Sequence, residues 1–193
     1  MEPTFDITDS YKGKLLLATP NMGDSRFRFA VIYIVSHDSK GAMGIVINKK
    51  KSNLHISDLL SQIGIEGDVQ VADAPVLNGG PVDIDRGFVL HSADYFAPDT
   101  SMKISDTLSL TTTKDVLEAL VSADEAPKRA MLAIGYAGWG AGQLENEIMD
   151  NAWLLLEGDE DLIFSDKLES KWTMALHDIG IDPSALSSNG GQA

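Results

Sequence analysis

The run Phe29-Ala-Val-Ile-Tyr-Ile-Val35 limits the fold more than any other stretch of this chain. It is β-branched and aromatic, and it has no polar position at alternate residues. A strand of that kind is buried on both faces, because either face left open would put a row of apolar side chains into water. Met43-Gly-Ile-Val-Ile47 reads the same way, and the link Ser39-Lys-Gly-Ala42 predicts a hairpin between the two. Two doubly buried strands need other elements above and below them. A chain of 193 residues is long enough to supply that cover from one domain with a core of its own, so a single domain over 1–193 is expected.

The remaining signals supply the cover. Leu15 to Ala18 is a short strand stopped by Thr19-Pro20, and Pro75 to Leu77 is another that runs into the turn Asn78-Gly-Gly-Pro81. Gly87 to Leu90, Ala130 to Ile134 and Trp153 to Leu156 also read as strands. Leu108 and Leu110 alternate with Ser109 and Thr111, which predicts a half-exposed strand. Ile56, Leu59, Leu60 and Ile63 fall on one face of a two-turn helix closed by Gly64. Thr112 and Asp115 have the spacing of a capping box for a helix carrying Val116, Leu117, Leu120 and Val121. A short helix is expected from Gln143 to about Asp150, and a last one from about Asp166 to Ile179 with Leu168, Trp172, Leu176 and Ile179 on one face. Residues 183–193 read as a loose polar tail. Strands and helices interleave without a regular βαβ period, so the fold class is α+β, a mixed sheet with helices around it.

Charge and composition exclude several chemistries. The formal net charge is −14, and the segment from Ala141 onward holds eleven acids against Lys167 and Lys171. Such a chain is repelled by nucleic-acid phosphates and anionic lipid. Its basic cluster Lys49-Lys50-Lys51 follows an apolar strand and marks a strand end or a protected edge. With no cysteine there is no disulfide, thiol nucleophile or thiolate metal site. Met1 to Asp6 has neither the basic nor the apolar part of a signal peptide, and the expected location is cytoplasmic. His37, His55, His91 and His177 show no i, i+4 pairing, so neither a metal nor a cofactor is expected. There is no phosphate-binding GxxxxGK[ST] loop, and Gly23-Asp-Ser25-Arg-Phe27 lacks the second glycine of a nucleophile elbow. Without a catalytic set, an enzyme is the less favoured reading.

Two glycine-rich segments stand out instead. Gly135 to Gly142 links a buried strand to a helix whose first turns hold Glu145 and Glu147, acids that compete with any anion at the helix start. The bland alternative is a tight bend that lets Trp139 pack closely. Gly79-Gly80-Pro81-Val82 precedes Arg86 and His91. There the glycines permit torsions that a β-carbon forbids, and Arg86 either grips a carboxylate or phosphate or pairs with Asp83, Asp85 or the acidic C-terminal part. His37 closes the most buried strand, where it either serves a site or satisfies a backbone group. The candidate binding residues are His37, Gly79, Gly80, Arg86, His91, Trp139, Gln143 and Glu145, read as one water-accessible surface for an unidentified protein partner or small ligand.

Taken together, Gly13-Lys-Leu-Leu-Leu-Ala-Thr-Pro20, Asp24-Ser-Arg-Phe27, His37 with Gly41-Ala-Met-Gly-Ile-Val-Ile-Asn48, Gly79-Gly-Pro-Val82, Arg86-Gly-Phe-Val-Leu-His91, and Gly135-Tyr-Ala-Gly-Trp-Gly-Ala-Gly-Gln-Leu-Glu145 with Asn151-Ala-Trp153 resemble the bacterial YqgE/AlgH family. The resemblance runs from about residue 10 to the C-terminus. It implies a compact α+β fold with a bifurcated mixed sheet, part of it a small closed barrel, surrounded by helices. It also implies a cytosolic bacterial protein and an indirect role in transcriptional regulation through a partner, the AlgH name carrying a label of that kind. It supplies no catalytic residues. Ser36 departs from the Glu that the family carries before this histidine, which argues against an acid–histidine pair at that place. A small-ligand or nucleotide-binding protein, with the glycine-rich loops as its pocket, is the alternative.

Overall fold

A computed structural model describes residues 10–66, 74–122 and 124–186. Its strands are β1 (Lys14–Ala18), β2 (Val31–Asp38), β3 (Gly41–Val46), β4 (Lys50–His55), β5 (Pro75–Asn78), β6 (Val82–Ser92), β7 (Ser101–Lys103), β8 (Leu108–Thr111), β9 (Ala130–Gly140) and β10 (Trp153–Glu157). Its helices are α1 (Ile56–Gln62), α2 (Lys114–Leu120), α3 (Gln143–Met149), α4 (Glu160–Ile163) and α5 (Lys171–Asp178). None of the helices is long and apolar enough to cross a membrane. The chain forms two compact units, one of residues up to Gly44 with those from Gly138 onward, the other of Ile45–Ala137.

In the first unit β1 lies between β10 and β2, antiparallel to both, with Leu16 opposite Leu155 on one side and Ile32 on the other. Val31 to Val35 is fully buried, as the unbroken apolar run requires. The expected hairpin is present, turning at Ser39-Lys40 into β3. Part of the cover comes from α5, whose Trp172, Ala175 and Leu176 are buried. The Trp172 indole N–H donates to the Ala18 carbonyl at 2.9 Å, fixing α5 to the end of β1. The expected helix from Asp166 is shorter than its apolar spacing suggests, because a 3-10 turn (Leu168–Ser170) precedes it. Pro183–Leu186, expected as loose tail, forms another 3-10 turn, and the rest of that tail lies outside the described residues.

In the second unit β9 is flanked by β5, parallel, and β6, antiparallel. Ile134 pairs with Asn78 and with Gly87, so these neighbours occupy opposite edges of β9. The strand order β4-β5-β9-β6-β8-β7 is mixed, as expected. No pairing among the described residues joins its two ends, so the closed barrel is not found in this unit. Helices α1 and α2 bury Ile56, Leu60, Val116 and Leu120 in a core with Val76, Val89 and Leu132. Gly64 ends α1 with φ +72. Its N–H reaches the Ser61 carbonyl while that of Ile65 reaches Leu60, a closure that puts Ile65 into the same core.

Three local expectations need correction. β8 is buried on both faces, and on its polar face Thr111 bonds to His91 and Ser101 where water was expected. The α2 N-cap is Thr113, one residue beyond the expected Thr112. The segment from Gly135 to Gly140 is strand, not bend, and only Ala141 and Gly142 turn the chain into α3.

Candidate functional site

The glycine segments are explained by backbone meeting backbone. A β-carbon on Gly80 would lie 2.1 Å from the Tyr136 carbonyl carbon, and one on Gly79 would lie 2.2 Å from the Gly135 oxygen. The chain leaves β5 on one edge of β9 and enters β6 on the other, so residues 79–81 must pass directly across the β9 backbone. Only glycine allows that approach. The two segments therefore adjoin, but at a crossing of main chain, where the glycines bring backbones together. The room beside Trp139 comes from other glycines. A β-carbon on Gly41 would stand 2.1 Å from the Trp139 oxygen, and one on Gly44 would stand 3.3 Å from its ring.

Of the two readings of Trp139, an exposed surface or close packing beside the glycines, the second fits, since the residue is 7% exposed. Its indole N–H donates to Glu147 Oε2 at 2.9 Å, and the Trp153 indole donates to the same oxygen at 2.8 Å. The two rings meet edge to face at 6.0 Å. Gln143 donates to Glu147 Oε1 at 2.9 Å and accepts the Gly140 N–H at 3.0 Å. Glu147 is thus held by three neutral donors, a knot that ties α3 to β9 and β10. The sequence reading had set its carboxylate to compensate the helix start; the fold aims it at the indoles.

Glu145, also on α3, reaches His37. The Nε2–Oε1 distance is 2.7 Å, with the histidine side chain 3% and the glutamate 25% exposed. The Tyr11 backbone N–H donates to Nδ1 at 3.0 Å, which places the ring proton on Nε2, facing the carboxylate. The Tyr11 ring stacks on the imidazole at 4.8 Å. An acid–histidine pair exists after all, with the acid supplied from a distant helix and not from position 36. His37 also satisfies a backbone group, the bland role foreseen for it.

In the second unit His91 is completely buried. Its Nδ1 donates to the Ser92 carbonyl at 2.9 Å, and Nε2 accepts from Thr111, whose hydroxyl oxygen is 2.6 Å from that of Ser101. Burial pushes its pKa down, partly offset by the Ser92 carbonyl and Asp94. Every ring nitrogen is used, and the ring is closed to solvent. Arg86 remains exposed. It forms no ion pair with Asp83 or Asp85, lies 5.6 Å over the Phe88 ring, and donates weakly to Thr112 at 3.4 Å. Thr112 lines a cleft of about 330 Å³ with a floor of Val89, Leu132 and Ile134 and walls of Leu59, Ile63 and Leu117. Its lining also includes one carboxylate, Asp85, one ammonium, Lys114, and Thr111 to Thr113. Thr113 Oγ1 is buried there without a hydrogen-bond partner. This cleft escaped sequence reading, because its walls come from helices and strands far apart in the chain.

Lys171 was also missed. Its side chain is wholly buried, with Nζ donating to the Ile163 carbonyl. Burial pushes its pKa down from 10.5 to about 8, with Asp166 pulling the other way. Between those two values the unfolded chain holds a proton that the folded chain has lost. Stability should therefore rise with pH across that window, by up to about 3 kcal/mol. Urea titrations at pH 7.5 and 10 should show that rise in the wild type and not in Lys171→Met; equal pH slopes in both would refute it.

A family model described as AlgH-like matches residues 15–184. A UPF0301 protein of Bradyrhizobium sp. is 50% identical over 188 residues, spanning 94% of this chain and 87% of the relative. One from Caulobacter vibrioides is 43% identical over 181 residues, spanning 94% and 93%. The solution structure of the AlgH protein from Pseudomonas aeruginosa superposes with a TM-score of 0.76 at 35% identity, covering all of both chains. A crystal structure of a Corynebacterium diphtheriae protein shares the fold at 18% identity, with a TM-score of 0.66 over 91% of each chain. The α+β architecture, the order of its glycine and tryptophan segments and these likenesses agree: the chain belongs to the AlgH-like family.

Proposed function

We propose that this protein binds a small amphipathic molecule with a zwitterionic head, of the type of an apolar amino acid, in the cleft between α1 and α2. The observation that carries the reading is the composition of that cleft: an apolar lining of Leu59, Ile63, Leu117, Val89, Leu132 and Ile134, with charges of both signs on Asp85 and Lys114. Ligand sites commonly combine an apolar body with a few polar groups in this way. Lys114 shares its ammonium with Glu118 at 3.2 Å in an exposed pair, which a ligand carboxylate redirects at little cost. Arg86, beside the mouth, adds a second cation. A regulatory role of the kind implied by the family resemblance then works through occupancy of this cleft in the cytoplasm. The charge of −14 disfavours gripping DNA directly. The partner surface expected around Trp139 loses support with that ring turned inward.

Calorimetric titration with L-leucine, 4-methylpentanoate and isopentylamine tests the reading. Leucine should bind tightest, and Asp85→Asn and Lys114→Gln should each weaken it roughly tenfold. No heat from leucine at millimolar concentration, or affinity unchanged in both variants, would refute it.

A further inference from the structure

We propose a second ligand site in the first unit, one that takes a flat heteroaromatic ring with an attached phosphate, of mononucleotide size. It stands on observations separate from those at the α1–α2 cleft. Phe29 has φ +56. Among the described residues the other non-glycine positions with positive φ are Asn53, Asp83 and Asn151, types whose short polar side chains tolerate that region. A bulky aromatic residue there is sterically disfavoured. Burial does not compensate, since Phe29 remains 48% exposed. Its ring stands edge-on to Trp172 at 4.9 Å, and the Arg28 guanidinium lies 5.0 Å from its centroid.

These three side chains line a cleft of about 640 Å³, which Thr19, Met22 and Leu186 help to close. Its volume is in the range of sites for ligands the size of a nucleotide. Arg28 has no carboxylate partner among the described residues, although the chain holds 29 acids to 15 bases. The nearest acid in sequence, Asp24, is already taken by Arg26, through Oδ2 at 2.6 Å from its terminal nitrogen. The cleft therefore presents a half-exposed aromatic ring and, over it, a guanidinium that no carboxylate among the described residues neutralises. An aromatic face stacks a flat ring, and a guanidinium grips phosphate. Strained torsions persist where the surroundings over-determine them, and here they hold an exposed ring at the mouth of a cleft.

Fluorescence of Trp172 and amide chemical shifts during titration with AMP and with adenosine test this on the full chain. AMP should give saturable shifts at residues lining this cleft, with adenosine roughly tenfold weaker. Arg28→Gln should remove the difference between the two. Phe29→Asn keeps a residue type that tolerates positive φ, so the fold is retained while both ligands weaken roughly tenfold. Absence of saturable shifts with AMP at millimolar concentration would overturn the proposal. So would shifts confined to other surfaces, or an undiminished preference for AMP in Arg28→Gln. Failure of leucine to bind in the other cleft leaves these outcomes untouched.

Discussion

Gly80→Ala should prevent stable folding. The added β-carbon would stand 2.1 Å from the Tyr136 carbonyl carbon, 2.2 Å from its oxygen and 2.4 Å from the Ala137 nitrogen. All three atoms are main chain in the middle of β9, so no side-chain rotation relieves the clash. At φ +150 the residue is also in a region closed to an L side chain. Relief requires moving either the β5–β6 link or β9, and β9 carries ladder bonds on both edges. The loss should exceed about 4 kcal/mol, a large share of the stability of a typical domain. Gly142→Ala is the control. It too has positive φ, at +72, but nothing lies within 4 Å, so only torsional strain of about 1 kcal/mol is added. Urea denaturation followed by circular dichroism separates the two. Similar midpoints for both variants would contradict a main-chain crossing at Gly80.

Glu147→Ala should cost about 3 kcal/mol or more. Two indole N–H groups lose their acceptor inside the first unit, and each buried donor left unsatisfied costs roughly 1–3 kcal/mol. The Gln143 amide loses its partner as well, but it is exposed and water replaces the bond. Glu147→Gln should be milder, near 1 kcal/mol, because the amide oxygen still accepts from the indoles. Denaturation midpoints give the energies. The indole N–H resonances of Trp139 and Trp153 report the local change, moving together in both variants. A Glu147→Ala protein within about 0.5 kcal/mol of wild type would mean that water satisfies both indoles.

Much of the architecture was legible because it rests on local pattern. The Phe29–Val35 run contains no polar residue that could face water, and Val31 to Val35 form the covered part of β2, but Phe29 precedes the strand at positive φ and stays 48% exposed, contrary to the expectation for the whole run. Ile56, Leu60 and Gly64 state a helix and its stop within nine residues, and α1 obeys them. By contrast β4, β7 and α4 carry no apolar period of useful length and went unread. β8 was misread because alternation reports exposure only when one face meets water. In β8 the polar face meets His91 and Ser101 through Thr111 instead.

The glycine segments mark the boundary between what the chain declares and what the fold decides. Composition and spacing announced that Gly79, Gly80 and Gly135 mattered, and the family could be recognised from them. Whether such glycines cradle a ligand or let backbones cross depends on what lies opposite, and that is set by residues more than fifty positions away. The same holds for the acids of α3. Their helical spacing fixed only the faces they occupy, and the partners waiting there, His37 for Glu145 and two indoles for Glu147, arrive from other strands. Both clefts are likewise products of assembly. Local sequence determines short-range torsion and burial, because those depend on neighbours within a turn or a strand. Contact between distant side chains follows only once the chain has closed on itself.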